Sequence, residues 1–200
     1  MAKIGLIGMS AKPYHAGHDL LVRKAANENE QVLLFVSLSD RKRPGELPIL
    51  GSDMKVIWEE HIEPSLPANV MVEYGGAPVS KIYKVLGEAN ESGSEDVYQI
   101  YSDPTDLQQN YPENSLEKYA GNLWSNNQII LRPTKRTSTV NVSGTAMRQF
   151  LSTGDKKNFI ANLPKGIDRN EVWNILSGKK KAKRVKTESL LRNLIREILS

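Results

Sequence analysis

Two of the chain's three histidines, His15 and His18, bracket Gly17 in "KPYHAGH", directly after the apolar run "KIGLIG". Far downstream, "VSGTAMR" sets Ser143, Gly144 and Thr145 at the head of a helical pattern, with Arg148 one turn in. Both stretches suit an anion, phosphate above all. A helix starting near Gly17 leaves its first N–H groups without intrahelical partners and concentrates partial positive charge there. Each imidazole can donate a ring N–H to a phosphate oxygen, and Gly17, lacking a side chain, admits a ligand close to the backbone. At the second stretch the hydroxyls of Ser143 and Thr145 and the planar guanidinium of Arg148 offer another cradle of the same chemistry.

Other chemistries fit these residues less well. An H-x-x-H pair can ligate a metal, but the chain has no cysteine, and the third histidine, His61, falls on the apolar face of another predicted helix. No metal ligands are therefore assigned, and His61 is read as a core or cap residue. "GLIG" is not G-x-G-x-x-G and no G-x-x-x-x-G-K-[ST] occurs, so neither the dinucleotide fingerprint nor the P-loop is present. The bland alternatives are two structural histidines in a turn and a plain N-cap at S-G-T. Two phosphate-competent helix starts on one sheet weigh against both being incidental.

A sheet is what must position them. "KIGLIG", "VLLFVSL", "VMVEY", "VYQIYS" and "QIILR" read as strands, and between the first four lie "HDLLVRKAANE", "GSDMKVIWEEHI" and "SKIYKVLGEAN", each helical in spacing. In the second helix Met54, Ile57, Trp58, His61 and Ile62 share a face, with Ser52 or Asp53 placed to cap it. Strands separated by helices need crossover connections, which give an α/β domain with a doubly wound parallel sheet of about five strands. In such sheets ligands sit beyond the carboxyl ends of the strands, where strand order reverses. That is where the loop holding His15 and His18 would emerge.

At 200 residues, 39% of them hydrophobic, the chain can bury a core without staples. The absent cysteines exclude disulfides and a thiolate nucleophile and suit a reducing compartment. The start lacks a signal-peptide pattern and no run is long enough to span a membrane, so a soluble, cytoplasmic protein is expected. The formal charge of +4 is unevenly placed: residues 178–200 carry +6 and the remainder −2. The body therefore gives no support to nucleic-acid binding. The division expected is a catalytic-sized domain over 1–177 and an appendage over 178–200, in which "GKKKAKRVK" precedes a stripe of Leu190, Leu191, Leu194, Ile195, Ile198 and Leu199. So short a helix needs a surface. Its own domain or a sister subunit is the plain choice, a larger assembly such as a virion the next, and a membrane surface or nucleic acid the last.

"KPYHAGH" followed by "VSGTAMR" resembles the nucleotidyltransferase superfamily that carries an H-x-G-H motif early and an S-x-T-x-x-R motif late in a Rossmann-like fold. The resemblance spans roughly residues 3 to 164. It implies transfer of a nucleoside monophosphate from ATP, or from another triphosphate such as CTP, to a phosphorylated small-molecule acceptor, with release of pyrophosphate and with Mg2+ carried by the triphosphate. Matched by position, it gives His15 and His18 to the triphosphate, with His18 at the reacting phosphate. Ser143, Thr145 and Arg148 go to the outer phosphates, and Gly8, Met9, Ser10 and Gly17 to the nucleotide-binding loop. "VSGTAMRQFLSTGDKKNFIANLP" is similar to archaeal-type nicotinamide-nucleotide adenylyltransferases, and "VYQIYSDPTDL" to their strand and loop near the acceptor pocket, which favours ATP and nicotinamide mononucleotide. Pantetheine-phosphate adenylyltransferases and cytidylyltransferases use similar loops. Relatives commonly carry a glycine four before the proline and an aromatic residue two before it; here those positions hold Met9 and Ala11, with Gly8 one place early. A nucleotide-binding recruitment protein that keeps the cradle without turnover is the other reading these residues allow.

Overall fold

The structure is a computed structural model that describes residues 1–134 and 142–179. The appendage beyond Lys179, with the docking expected of it, lies outside the described residues. Five parallel strands form one sheet in the order β3-β2-β1-β4-β5. They are β1 (Lys3–Met9), β2 (Gln31–Val36), β3 (Val70–Tyr74), β4 (Val97–Ser102) and β5 (Ile129–Pro133). The chain steps outward from β1 to β3, returns across β1 to β4, and steps outward again to β5. This is the doubly wound arrangement that the alternation of apolar runs and helical patterns predicts.

Reversing the direction of travel moves the crossover helices to the opposite face. On one face lie α1 (Ala16–Glu28), α2 (Gly51–Ile57) and, after β5, α6 (Gly144–Thr153), α7 (Lys156–Ala161) and α8 (Arg169–Leu176). On the other lie α3 (Pro78–Glu91), α4 (Pro104–Asn110) and α5 (Glu113–Ser125). Side-chain alternation along the strands sorts the core accordingly. Ile7, Leu34 and Tyr101 pack with Val22, Trp58, Met147 and Phe159 on the first face, while Leu6, Phe35 and Ile100 pack with Ile82, Leu86, Leu116 and Leu123 on the second. Burial on both faces is why these strands read as nearly continuous apolar runs, and each fully buried side chain of this size contributes roughly 1.5–3 kcal/mol.

The register opens the crevice. Pairing of β1 with β2 continues to Met9 opposite Val36, whereas pairing with β4 ends at Leu6 opposite Ile100. Beyond Leu6 the two central strands part, at the point where strand order reverses.

Two local expectations are corrected. The helix over α2 is not capped by Ser52 or Asp53. It begins at Gly51, whose N–H donates to Asp40 Oδ1 at 2.8 Å. Only glycine fits there, because a Cβ would stand 1.7 Å from the Leu38 carbonyl oxygen. Past Ile57 the helix widens into a π turn over Trp58–Ile62, which still buries Trp58 and Ile62 on the predicted face. After β4, where "DPTDL" reads as a loop and no helix is predicted, the chain folds into α4 and α5. Asp103 caps α4 by accepting from the N–H groups of Thr105 and Asp106.

Candidate active site

The loop from β1 to α1 holds its two histidines by reciprocal capping. The Gly17 N–H donates to His15 Nδ1 at 3.1 Å, and the His15 N–H donates to His18 Nδ1 at 3.3 Å. With Nδ1 accepting in both rings, each neutral imidazole carries its proton on Nε2. The rings stack with centroids 3.8 Å apart, Tyr14 stacks on His18 at 5.6 Å, and Tyr14 meets Trp58 edge-on at 4.8 Å, which ties the pair to the core. Gly17 serves the histidine as well as any ligand, since a Cβ there would stand 3.0 Å from His15 Cε1. The Ala16 N–H donates to the Asn162 carbonyl at the end of α7, so a distant element fixes where α1 begins. Ala11, buried in the core, takes a φ of +42°, and this left-handed backbone turns the loop at some cost in strain.

The second stretch starts α6. Ser143 Oγ accepts from the Ala146 N–H at 3.1 Å, so Ser143 is an N-cap. Arg148 spreads its guanidinium over three partners: Thr145 Oγ1 at 2.9 Å, the Lys12 carbonyl at 3.1 Å and Glu46 Oε1 at 3.3 Å. Glu46 belongs to the loop after β2 and also accepts two hydrogen bonds from Arg41, at 2.9 and 3.3 Å. One carboxylate therefore sits between two guanidinium groups. The hydrogen bond from Arg41, helped by that from Arg148, holds the Glu46 carboxyl below its ordinary range.

Both stretches meet in a cavity of about 540 Å³ at the carboxyl ends of the central strands, lined by Gly8, Met9, Ser10, His15, Gly17 and His18 from the first and by Gly144 and Arg148 from the second. Ser143 and Thr145 are not among the lining residues: the one caps α6, and the other, exposed, holds Arg148. The lining includes residues the sequence analysis did not assign as sites: Lys12, Leu20, Leu21, Lys24, Arg41, Ser102, Asp103, Asp106 and Thr134. A signal existed for part of this set. Gly17, Leu20, Leu21 and Lys24 follow the i, i+3, i+4, i+7 spacing of one helix face. Lys12 is only 6% exposed, and its ammonium donates to Ser39 Oγ at 2.8 Å. Burial lowers its pKa from the ordinary lysine value. Trp124 lines a separate cleft with Glu113 and Glu117 on α5. Among the described residues no three His, Asp or Glu side chains gather as a metal site. Among them, too, no helix is long and apolar enough to cross a membrane.

A family model, the citrate lyase ligase C-terminal domain, matches residues 4–45, from β1 to the loop that carries Arg41. Among solved structures, the Plasmodium falciparum nicotinic acid mononucleotide adenylyltransferase complexed with NaAD is 13% identical, with 88% of this chain and 98% of that one covered at a TM-score of 0.55. A candidate nicotinate-nucleotide adenylyltransferase from Vibrio parahaemolyticus is 17% identical, with 88% and 99% covered at a TM-score of 0.51. The fold is one that adenylyltransferases use. Thermotoga maritima TmcAL bound with alpha-thio ATP is 13% identical over 86% of this chain, at a TM-score of 0.49; the chain spans 55% of that protein's length. Comparison with curated proteins gives no match.

Proposed function

We propose that this chain is a nucleotidyltransferase that moves a nucleoside monophosphate, AMP from ATP in the favoured reading, to a phosphorylated acceptor and releases pyrophosphate. The observation that carries this reading is the shared cavity. His18 and Arg148 come from opposite ends of the domain, and the β1–α1 loop meets α6 directly, where Arg148 hydrogen-bonds the carbonyl of Lys12, 136 positions earlier. Nicotinamide mononucleotide is the acceptor favoured by the motif likeness, and the Plasmodium neighbour acts on a related mononucleotide.

In this reaction an acceptor phosphate oxygen attacks the α-phosphorus in line. The new P–O bond forms as the bond to the β-phosphate bridging oxygen breaks, and that oxygen leaves with pyrophosphate. No covalent enzyme intermediate is required. The protein's part is to hold two polyanions together and to place donors where charge builds. The Nε2 proton of His18 is one such donor and the guanidinium of Arg148 another. Asp103 and Asp106 are the lining carboxylates that would hold a magnesium ion brought by the triphosphate. When bound, that ion neutralises charge on the phosphates.

The test is pyrophosphate release with each of the four common nucleoside triphosphates across a panel of phosphorylated acceptors. ATP with nicotinamide mononucleotide is expected to give the highest turnover, and His18→Ala to lower turnover roughly 10²–10³-fold. Tight nucleotide binding with no release for any pair would leave the chain a binding module without turnover.

A further inference from the structure

Among the described residues Lys12 is a buried cation that forms no ion pair, with Asp40 attracting it only from beyond ion-pair distance. Its residue is 6% exposed, yet among the described residues no carboxylate lies within salt-bridge distance of it. The two acids in its surroundings are engaged elsewhere. Asp40 pairs with Lys42 at 2.8 Å and accepts the Gly51 N–H, while Glu46 pairs with Arg41 and Arg148. Of the three protons an ammonium can donate, one goes to Ser39 Oγ, a neutral and exposed partner. Burying a charge this way is costly unless something offsets it, and a structural lysine would have taken a carboxylate. Burial is the largest influence and disfavours the charged form; Asp40 offsets part of that from a distance, and Arg41 adds to it.

The backbone around it is fixed. Ala11 turns the chain through its left-handed conformation, and the Lys12 carbonyl is held by Arg148 at 3.1 Å. The side chain is therefore delivered to the cavity it lines, beside the same guanidinium that approaches from α6. A compact, rotatable ammonium suits phosphate oxygens that shift during transfer better than a planar fork would.

We propose that Lys12 is a direct ligand of the nucleotide's polyphosphate chain, its ammonium completing with phosphate oxygens the hydrogen bonding that Ser39 begins. This rests on the nucleotidyltransferase reading of the cavity and adds to it a contact from inside the β1–α1 loop.

Inorganic tripolyphosphate is the probe, titrated by calorimetry into the full chain and into Lys12→Met, Lys12→Gln and His18→Ala, with thermal melting of each protein. The two Lys12 variants are expected to bind at least tenfold more weakly while melting at the same or a higher temperature, because an unpaired charge has been removed from the interior. Binding within twofold of the parent chain by either variant overturns the proposal. So does a lowered melting temperature with affinity retained, which would make Lys12 a structural residue. If the parent chain fails to bind tripolyphosphate, the reading of the cavity falls together with the proposal. If His18→Ala weakens binding and the Lys12 variants do not, only the role of Lys12 falls.

Discussion

The His15 ring closes the first turn of α1 through Nδ1 and keeps its proton on Nε2, so one side chain serves the backbone and, in the proposed reaction, the phosphate. Substitution can separate the two roles. Asparagine is among the best N-cap residues and its carbonyl oxygen can accept the Gly17 N–H, but it offers no donor at the reach of Nε2. His15→Asn is therefore expected to unfold within about 0.5 kcal/mol of the parent chain, and His15→Ala to lose about 1 kcal/mol, both read from urea denaturation. Turnover should fall in both variants. If His15→Asn keeps full turnover, His15 is a cap and nothing more. The residue scale is also where sequence was most informative. Histidine, glycine, serine, threonine and arginine at fixed spacing name a chemistry before any fold is known. Lys12 was harder to read, because a lysine next to a proline looks like solvated surface until burial is measured.

At the scale of elements, the loop between β2 and α2 decides how the cavity is charged. Arg41 and Ile49 form an antiparallel bridge that closes this loop, and the Leu47 N–H donates to Ser152 Oγ on α6. Glu46 is thereby carried to Arg41 and Arg148, the two guanidinium groups best suited to phosphate. In the proposed reaction an outer phosphate bound by these two guanidinium groups would compete with that carboxylate for them. Glu46→Gln, which keeps the shape and removes the charge, is expected to bind tripolyphosphate about two- to tenfold more tightly than the parent chain. Weaker binding by Glu46→Gln in calorimetry would show that Glu46 orders the arginines instead of competing for them. The carboxyl titrates below its ordinary value of 4.5, so it stays ionised through neutral pH, and its hold on the arginines is lost only as pH falls through that lowered value. Nothing local in the sequence indicated this pairing: Glu46 meets Arg148 only because two elements 102 positions apart are folded together. The helices α4 and α5 were missed for a related reason. Leu116, Ala120 and Leu123 do have helical spacing, but polar residues surround them, and their burial is supplied by α3 and the sheet.

At the scale of the molecule, the alternation of strands and helices made the sheet legible, because a parallel sheet covered on both faces admits few strand orders. The side of the sheet taken by the last three helices was not legible in that way, since among the described residues no strand follows them to fix it. They nevertheless reach the site. The rings of Phe159 on α7 and Trp173 on α8 meet edge-to-face at 5.3 Å in the core that includes Tyr14 and Trp58. Three residues after Phe159, the Asn162 carbonyl accepts the N–H of Ala16, the first residue of α1. A cavity opened at Phe159, which is fully buried, would loosen the anchor that sets where His15 and His18 point. Phe159→Ala is expected to cost about 3–5 kcal/mol in urea unfolding. Phe159→Leu, which leaves a smaller void, should cost less. If α7 positions the histidines, tripolyphosphate affinity will fall in the same order, although neither substitution touches the cavity lining. Affinity unchanged in a folded Phe159→Leu protein, with stability reduced, would mean that the β1–α1 loop holds its own geometry through the reciprocal histidine caps alone.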